Sequence, residues 1–556
     1  MPRPAQDHRY PSQPNRQLFS KAIPLVVILA FSVFAGFLVH YSTPRGPWAF
    51  SDSTEYLEAR RNFAAGRGFV VQRMNDRYVP LSTRPPLYPL ILGGMIKSGI
   101  DPVLGSGWLN SVLYAGLILI VGVAVYKYTS SPGLLLVLLF FLCLENELVD
   151  AFASMMTEPL FIAVTIAQIL LLVIYLRSDR LATLAASVVL AGALWMTRYA
   201  GAANAALLGV GIILFSKHPL SRRLVLSILS VLIPAIPYLG WSLHLRPTGY
   251  SAGVYDWHVP DLWDGLRPVR GAFIDSLWDW LPFSALPFNP TYYHKILFLS
   301  LFFLITLIGC LYAIYLSHSK GRGPLLSQEA FQWGSFLVIF AVLHLMVIDV
   351  SYVLVSVPKP ALIGRVLLPS IITFLFGLGI LFYEFGLHLF RPKLAILLPA
   401  AFLLPLVFVG LPQVQQNVSN LHTTGKGYTS TPWQDLKIID ELKSLPASIP
   451  IVSNDPNAVI FFAARPAYPL PETKDNQPVD SNAHFGLRTQ DEAEVTFRQN
   501  GAALVLFSNA NIQLMRIYGE EWQAAFRSFT DGLFVYYDGP DGVILFYTDP
   551  GPWTQF

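Results

Sequence analysis

Between Ala22 and Leu411 the sequence strings together about eleven mostly apolar runs, many close to the roughly twenty residues that carry an α-helix across about 30 Å of hydrocarbon. That pattern leaves few folds open. Inside a bilayer every backbone amide has to find its partner within a helix or a closed barrel, so runs of this length read as a bundle of spanning helices. Approximate spans are Ala22 to Tyr41, Gly107 to Tyr126, Gly133 to Leu148, Pro159 to Leu176, Leu181 to Thr197, Ala200 to Ser216, Leu224 to Trp241, Ile296 to Leu316, Phe331 to Ile348, Val366 to Tyr383 and Leu394 to Leu411. With 53% hydrophobic and 13% charged residues among 556, the chain is too apolar for a soluble protein of two or three domains. A formal net charge of +3, carried in short basic clusters between the runs, excludes nucleic acid as the implied partner.

One run resists this reading. Leu87 to Ile100 is apolar but short, contains Gly93-Gly94 and Lys97, and suits a re-entrant or interfacial helix. If it does not span, the clusters Arg3/Arg9/Arg16/Lys21, Lys127, Arg177/Arg180, Lys217/Arg222/Arg223, Lys320/Arg322 and Arg391/Lys393 all fall on one side, as the positive-inside rule requires. Glu145 to Thr157, on the other side, has no Lys or Arg. The expected organisation is a cytoplasmic N-terminus over 1–21, a transmembrane domain over 22–411 with outer loops 42–106 and 242–295, and an extracytoplasmic domain over 412–556. The protein is expected in the plasma (inner) membrane. The first apolar run is longer than a signal h-region, and no small-residue cleavage site follows it at Ser42-Thr43-Pro44-Arg45. Cys143 and Cys310 fall in spans near opposite faces, which argues against a disulfide between them.

After Leu411 the composition becomes that of an α/β unit. Ile449 to Ser453, Ala503 to Phe507, Phe534 to Tyr537 and Val543 to Tyr547 read as strands, with Asp538 to Gly542 as the last turn. Trp433 to Leu445, opened by Thr431-Pro432 as cap and first position, and Asn511 to Phe526 read as helices. This tail contains no Gly-rich phosphate loop, metal-ligand cluster or nucleophile elbow, so it is expected to be accessory.

The chemistry is concentrated elsewhere. Ser42 to Pro86, a polar loop directly after the first span, carries Ser51-Asp52-Ser53-Thr54-Glu55-Tyr56, then Gly66-Arg67-Gly68-Phe69, and re-enters the apolar phase through Arg84-Pro85-Pro86-Leu87-Tyr88-Pro89. Loops this long between spans are seldom mere connectors. Met156-Thr157-Glu158-Pro159-Leu160-Phe161 opens the fourth span, Thr197-Arg198-Tyr199-Ala200-Gly201 follows the fifth, and Gly364-Arg365-Val366-Leu367-Leu368-Pro369 opens the tenth.

Taken together over about Pro24 to Leu411, these motifs resemble the GT-C glycosyltransferases, particularly the family 39 group of protein O-mannosyltransferase-like and lipid A aminoarabinose transferase-like enzymes. The resemblance implies a polytopic α-helical membrane protein of GT-C type with a C-terminal α/β domain. It also implies a sugar donor on polyprenyl phosphate, an extracytoplasmic acceptor (protein, lipid or cell-envelope glycan), and transfer with inversion at the outer membrane face.

Transfer from a lipid phosphate to a hydroxyl needs a base on the acceptor and cations on the departing phosphate, which leaves without being protonated. Asp52 is the candidate base. Arg84, Arg198 and Arg365, each at an outer boundary, are candidate phosphate clamps, with Glu158, Glu55 and Tyr88 completing the substrate-binding set. Simpler readings stand beside these. Asp52 could be a solvated residue or a cap, Glu158 a first-turn acid favoured by the helix dipole, and Glu55 a partner of Arg60 and Arg61. The arginines could merely anchor spans. His294 and His344 read as structural. Tyr255 to Trp263 and Trp278-Asp279-Trp280 read as interfacial anchors or, less readily, as sugar platforms. No cofactor is implied. A divalent ion is not favoured, because the first loop has no Asp-x-Asp and Asp52 with Glu55 is a poor substitute. The rival from another class is a transporter or flippase of lipid-linked precursors, but such proteins place ionisable residues at mid-depth. Here the polar residues gather at the outer face.

Overall fold

The computed structural model describes residues 14–73, 77–245, 262–280, 291–298, 329–354, 364–389, 406–469, 501–508 and 522–549, with a few isolated positions besides. The membrane bundle is built from α1 (Pro14–Ser42), α4 (Pro102–Thr129), α5 (Pro132–Leu144), α7 (Glu158–Ser178), α8 (Leu181–Thr197), α9 (Ala202–Phe215) and α10 (Leu220–Leu245). Further along the chain, α11 (Leu262–Asp279), α12 (Glu329–Leu354) and α13 (Gly364–Leu389) join it. Among the described residues, six helices are long and apolar enough to cross a membrane: Ala22–Ser42, Pro102–Thr129, Glu158–Ser178, Leu220–Leu245, Glu329–Tyr352 and Gly364–Glu384. Ala22–Ser42, Pro102–Thr129, Leu220–Leu245 and Glu329–Tyr352 carry exposed large apolar side chains on their outward faces, whereas Glu158–Ser178 and Gly364–Glu384 are more deeply buried; five of the six share one continuous core and Leu226 of Leu220–Leu245 packs against it, as expected of a bundle whose solvent is lipid. The protein is a multi-pass membrane protein.

Three expectations are corrected within the bundle. The span read over Gly133 to Leu148 ends at Leu144, because extended Glu145 breaks the helix and starts the short α6 (Asn146–Phe152), which occupies most of the expected outer loop. The loop after the first span is no loop. It folds into α2 (Ser51–Ala64), a hairpin of β1 (Val70–Arg73) and β2 (Arg77–Pro80), and the short α3 (Leu87–Lys97). The second outer loop likewise contains the 18-residue α11. The spans read at Ile296 to Leu316 and Leu394 to Leu411 lie largely outside the described residues, as does Cys310, while Cys143 is a buried free thiol.

The C-terminal part begins with α14 (Leu411–Thr423), α15 (Thr431–Gln434) and α16 (Lys437–Ser444) and builds a five-stranded sheet. In spatial order the strands are β4 (Tyr468–Pro469), β3 (Ile451–Ser453), β5 (Ala503–Phe507), β7 (Gly542–Phe546) and β6 (Phe534–Gly539). The first three are parallel, with Val452 opposite Leu504, and β7 runs antiparallel with Val505 opposite Ile544. β5 is buried throughout, which its unbroken Ala-Leu-Val-Leu-Phe run required. The helix read over Trp433 to Leu445 is interrupted after Gln434, and its cap is Ser430, not Thr431. A helix the sequence reading passed over, α17 (Pro456–Ala463), is capped by Asp455, whose side chain accepts from Ala458 N at 3.0 Å. Of the helix read over Asn511 to Phe526, the described part is α18 (Trp522–Thr530).

Candidate active site

All the singled-out charged residues sit where helices end on one side of the bundle. Asp52 is in the first turn of α2, and Ser53, the next residue, locks that turn by accepting Phe50 N at 3.2 Å and donating to Met155 O at 3.0 Å. Arg84 precedes two prolines, which restrict the backbone and present the guanidinium from a stiff corner. Glu158 is the first residue of α7. Arg198 is a single extended residue (φ −146°, ψ 141°) between α8 and a 3₁₀ turn over Tyr199–Gly201, where Gly201 lies so close to the Leu194 carbonyl that a Cβ would collide with it. Arg365 is the second residue of α13. A cation there opposes the helix dipole, so the position is sustained by the acids that face it.

Those acids are Asp52 and Glu158. Asp52 is held on both oxygens: Arg84 Nη2 lies 2.6 Å from Oδ1 and Arg365 Nη2 3.0 Å from Oδ2. Arg365 also approaches Glu158 through Nε at 3.6 Å and rests over the Phe50 ring, 4.4 Å from its centroid. Arg198 Nη1 pairs with Glu158 Oε1 at 2.7 Å and donates to Thr157 Oγ1 at 3.0 Å. Glu55 lies 3.7 Å from Arg84 Nε and accepts from Thr83 Oγ1 at 3.1 Å; its partner is therefore Arg84, not Arg60 or Arg61. Side-chain exposure grades across the cluster from 1% at Glu158 through 17% at Asp52 and 19% at Arg365 to 36% at Arg84, so the cluster opens on the Arg84 side.

Burial alone would raise the Asp52 carboxyl, but the charges of Arg84 and Arg365 outweigh it and hold the group below its usual range. As it stands Asp52 is a weak base. The three arginines balance Asp52, Glu55 and Glu158, yet they are not saturated: Nε and Nη1 of Arg365 and Nε of Arg84 are buried without a hydrogen-bond acceptor among the described residues. Buried guanidinium donors left open favour an incoming anion.

Tyr88 lies behind this cluster. It is fully buried, edge-on to Tyr56 at 5.2 Å, and its hydroxyl has no hydrogen-bond partner among the described residues. Burial pushes the Tyr56 hydroxyl up to about 12. Thr157, Thr83 and Phe50 were missed in the sequence. Thr157 lies inside the Met156-Thr157-Glu158 motif and could have been found, whereas nothing local marks Phe50. His294 is exposed at the start of the helical stretch 292–298, its Nδ1 2.7 Å from Thr291 Oγ1, and His344 is buried with Nδ1 on Ser370 Oγ at 2.7 Å. Trp278 and Trp280 are buried, Trp280 against Phe141, which corrects their reading as interfacial anchors or sugar platforms. Tyr255 to His258 lie outside the described residues. Among the described residues, no group of three or more His, Cys, Asp or Glu side chains could hold a metal ion.

No protein-family model matches the sequence, and neither does any curated protein. Solved structures share its architecture. ArnT from Cupriavidus metallidurans bound to undecaprenyl phosphate aligns over 97% of this chain and 99% of its own, at 13% identity and a TM-score of 0.50. Its apo state aligns over 95% and 98%, at 14% identity and 0.52. The chain has the GT-C fold. A second GT-C structure, the Archaeoglobus fulgidus oligosaccharyltransferase in complex with Zn and sulfate, aligns over 92% of this chain and 72% of its own, at 11% identity and 0.50. Both neighbours, like this chain, carry the membrane bundle together with a C-terminal sheet-containing domain, the GT-C arrangement.

Proposed function

We propose that this GT-C protein is a glycosyltransferase that moves a sugar from a polyprenyl-phosphate donor to an extracytoplasmic acceptor hydroxyl on a protein, lipid or envelope glycan. The observation that carries this reading is the double clamp: one carboxylate, Asp52, gripped by Arg84 and Arg365, of which Arg84 Nε and Arg365 Nε and Nη1 have no hydrogen-bond acceptor among the described residues. The undecaprenyl phosphate bound to the structurally similar ArnT supplies the donor class.

In the proposed reaction the lipid phosphate competes with Asp52 for Arg84 and Arg365. As the guanidinium groups turn to phosphate, the carboxylate loses the charges that depress it and becomes basic enough to take the acceptor's proton. The acceptor oxygen then forms its bond to the anomeric carbon while the bond from that carbon to the phosphate oxygen breaks, with inversion. The phosphate departs unprotonated, its charge held by Arg84, Arg365 and Arg198. Glu158 keeps Arg198 and Arg365 aimed at the site, Glu55 steadies Arg84, and Tyr88 forms part of the floor.

Topology supports an outer-face site. Lys127, Arg177, Arg180, Lys217, Arg222 and Arg223 lie at the helix ends opposite Asp52, which the positive-inside rule assigns to the cytoplasm. The N-terminus is then inside and the C-terminal domain outside. Mass spectrometry of lipid-linked sugars in cells carrying Asp52→Asn tests the reading: one polyprenyl-phosphate sugar should accumulate while one envelope component loses that sugar. If neither pool changes, the reading is wrong.

A further inference from the structure

Helix α2 has three working faces. Asp52 and Glu55 point to the arginines, Tyr56 packs with Tyr88 and Leu92 of α3, and Thr54, Leu57 and Arg61, spaced to share a third face, meet the C-terminal domain. On that third face Leu57 enters the core formed by Ile438, Val459 and Phe507. Thr54 Oγ1 lies 2.6 Å from Ser51 O and 2.9 Å from the side-chain amide of Asn457, tying the first turn of α2 to the first turn of α17. Arg61 Nη1 donates to Ile460 O at 3.1 Å.

The segment leading into α2 is pinned by the same domain. Tyr428 N donates to Ala49 O at 2.9 Å, and Gly427, at φ +62°, lies so close to Ala49 that a Cβ would collide with its carbonyl. Tyr428 and α17 are one body, because the Tyr428 hydroxyl donates at 2.9 Å to Asp455, the cap of α17. On the opposite side, Trp48 N donates to Ala153 O and Met155 N to Trp48 O, both at 2.9 Å. Asp52 therefore sits between two anchor points, Ala49 and Thr54, that belong to the C-terminal domain's contact surface.

From this we infer that the C-terminal domain is a positioning element of the active site, in which Gly427, Tyr428 and Asn457 fix the first turn of α2 and so place Asp52 between Arg84 and Arg365. The inference rests on the glycosyltransferase reading only in the role it gives Asp52. A displacement of about 1 Å at a reacting group is enough to cost about a hundredfold in rate, so contacts on either side of the carboxylate are where a distant domain can act. This goes beyond an accessory part in acceptor choice.

The test uses the full-length protein in lipid nanodiscs. Asn457→Ala, Thr54→Val and Gly427→Ala remove the contacts, and Thr54→Ser, which keeps the hydroxyl, is the rescue. Hydrogen exchange of α2 is read together with affinity for undecaprenyl phosphate, each in Asp52 and Asp52→Asn backgrounds. α2 amides should exchange about fivefold faster, the scale of one lost hydrogen bond, while the spanning helices keep their protection. Undecaprenyl phosphate affinity should change about threefold with Asp52 present and not in Asp52→Asn, because only a misplaced carboxylate alters the competition for the arginines. Thr54→Ser should match the parent protein. Unchanged α2 exchange in variants whose spans stay protected overturns the inference, as does an affinity change of equal size in both backgrounds. Failure of the glycosyltransferase reading shows separately, as full transfer activity in Asp52→Asn, and leaves the exchange result intact.

Discussion

Replacing Asp52 by Asn keeps the shape of the side chain and removes its charge, and the structure sets three consequences of different sign. The carboxylate makes two charge-assisted contacts, at 2.6 Å to Arg84 and 3.0 Å to Arg365. Hydrogen bonds to charged groups contribute about 1.5 to 3 kcal/mol when shielded. The Arg84 contact counts for less, because that side chain is 36% exposed and water screens it. The ligand-free protein should therefore lose about 2 kcal/mol, mostly through Arg365. Undecaprenyl phosphate should bind about tenfold more tightly, since it no longer displaces a carboxylate worth about 1.4 kcal/mol or more. Transfer should nevertheless fall by about 10² to 10⁴, the range for loss of a general base. Isothermal titration with undecaprenyl phosphate in nanodiscs and single-turnover transfer of the accumulated lipid-linked sugar measure the two opposing effects on one preparation. Tighter binding with near wild-type turnover would refute the base. Weaker binding would refute the competition between carboxylate and phosphate.

Arg365→Lys keeps a charge but not the fork that reaches Asp52 through Nη2 while Nη1 has no acceptor among the described residues, so undecaprenyl phosphate binding should weaken about tenfold, read in the same titration. In a cysteine-less background, a cysteine at Lys443 should react with an impermeant maleimide added outside and one at Lys217 should not; the reverse labelling would invert the topology. Burial, with a smaller contribution from Glu147, pushes the Glu145 carboxyl up to about 8, against 4.5 in an unfolded chain. Folding therefore keeps a proton that the unfolded chain gives up, and stability is lost as pH rises from about 4.5 to about 8. Glu145→Gln should accordingly raise the Tm at pH 8 and leave it nearly unchanged at pH 4, by thermal unfolding in detergent.

The gathering of Arg84, Glu158, Arg198 and Arg365 at one end of the bundle was legible because each borders an apolar run, and run length fixes which end a border occupies; Asp52 was legible as the acid of the polar loop that starts from that same end. What escaped was short or distant. Glu145 cut a helix that hydropathy alone would have continued, since a single carboxylate barely lowers the average of a leucine-rich window. α2 was read as loop because its apolar residues are divided among three different neighbours and show no single stripe. The pairing of Thr54 with Asn457 spans 403 residues and leaves no local trace. Trp278 and Trp280 resemble interfacial anchors in composition, and only their burial, Trp280 against Phe141 and Trp278 beside Phe298, shows them to be interior.

Arg365 meets Asp52 across 313 residues of chain, whereas Arg84 is only 32 residues away. At ribosomal rates of about 5 to 20 residues per second, Asp52 is synthesised on the order of half a minute before Arg365. During that interval the nascent protein carries an acid with one of its two cations. Arg84 is thus the assembly partner and Arg365 the completing one. Chains truncated before Gly364, or stalled there, would expose a half-neutralised carboxylate at the membrane surface, a chemical mark by which an unfinished copy differs from a finished one.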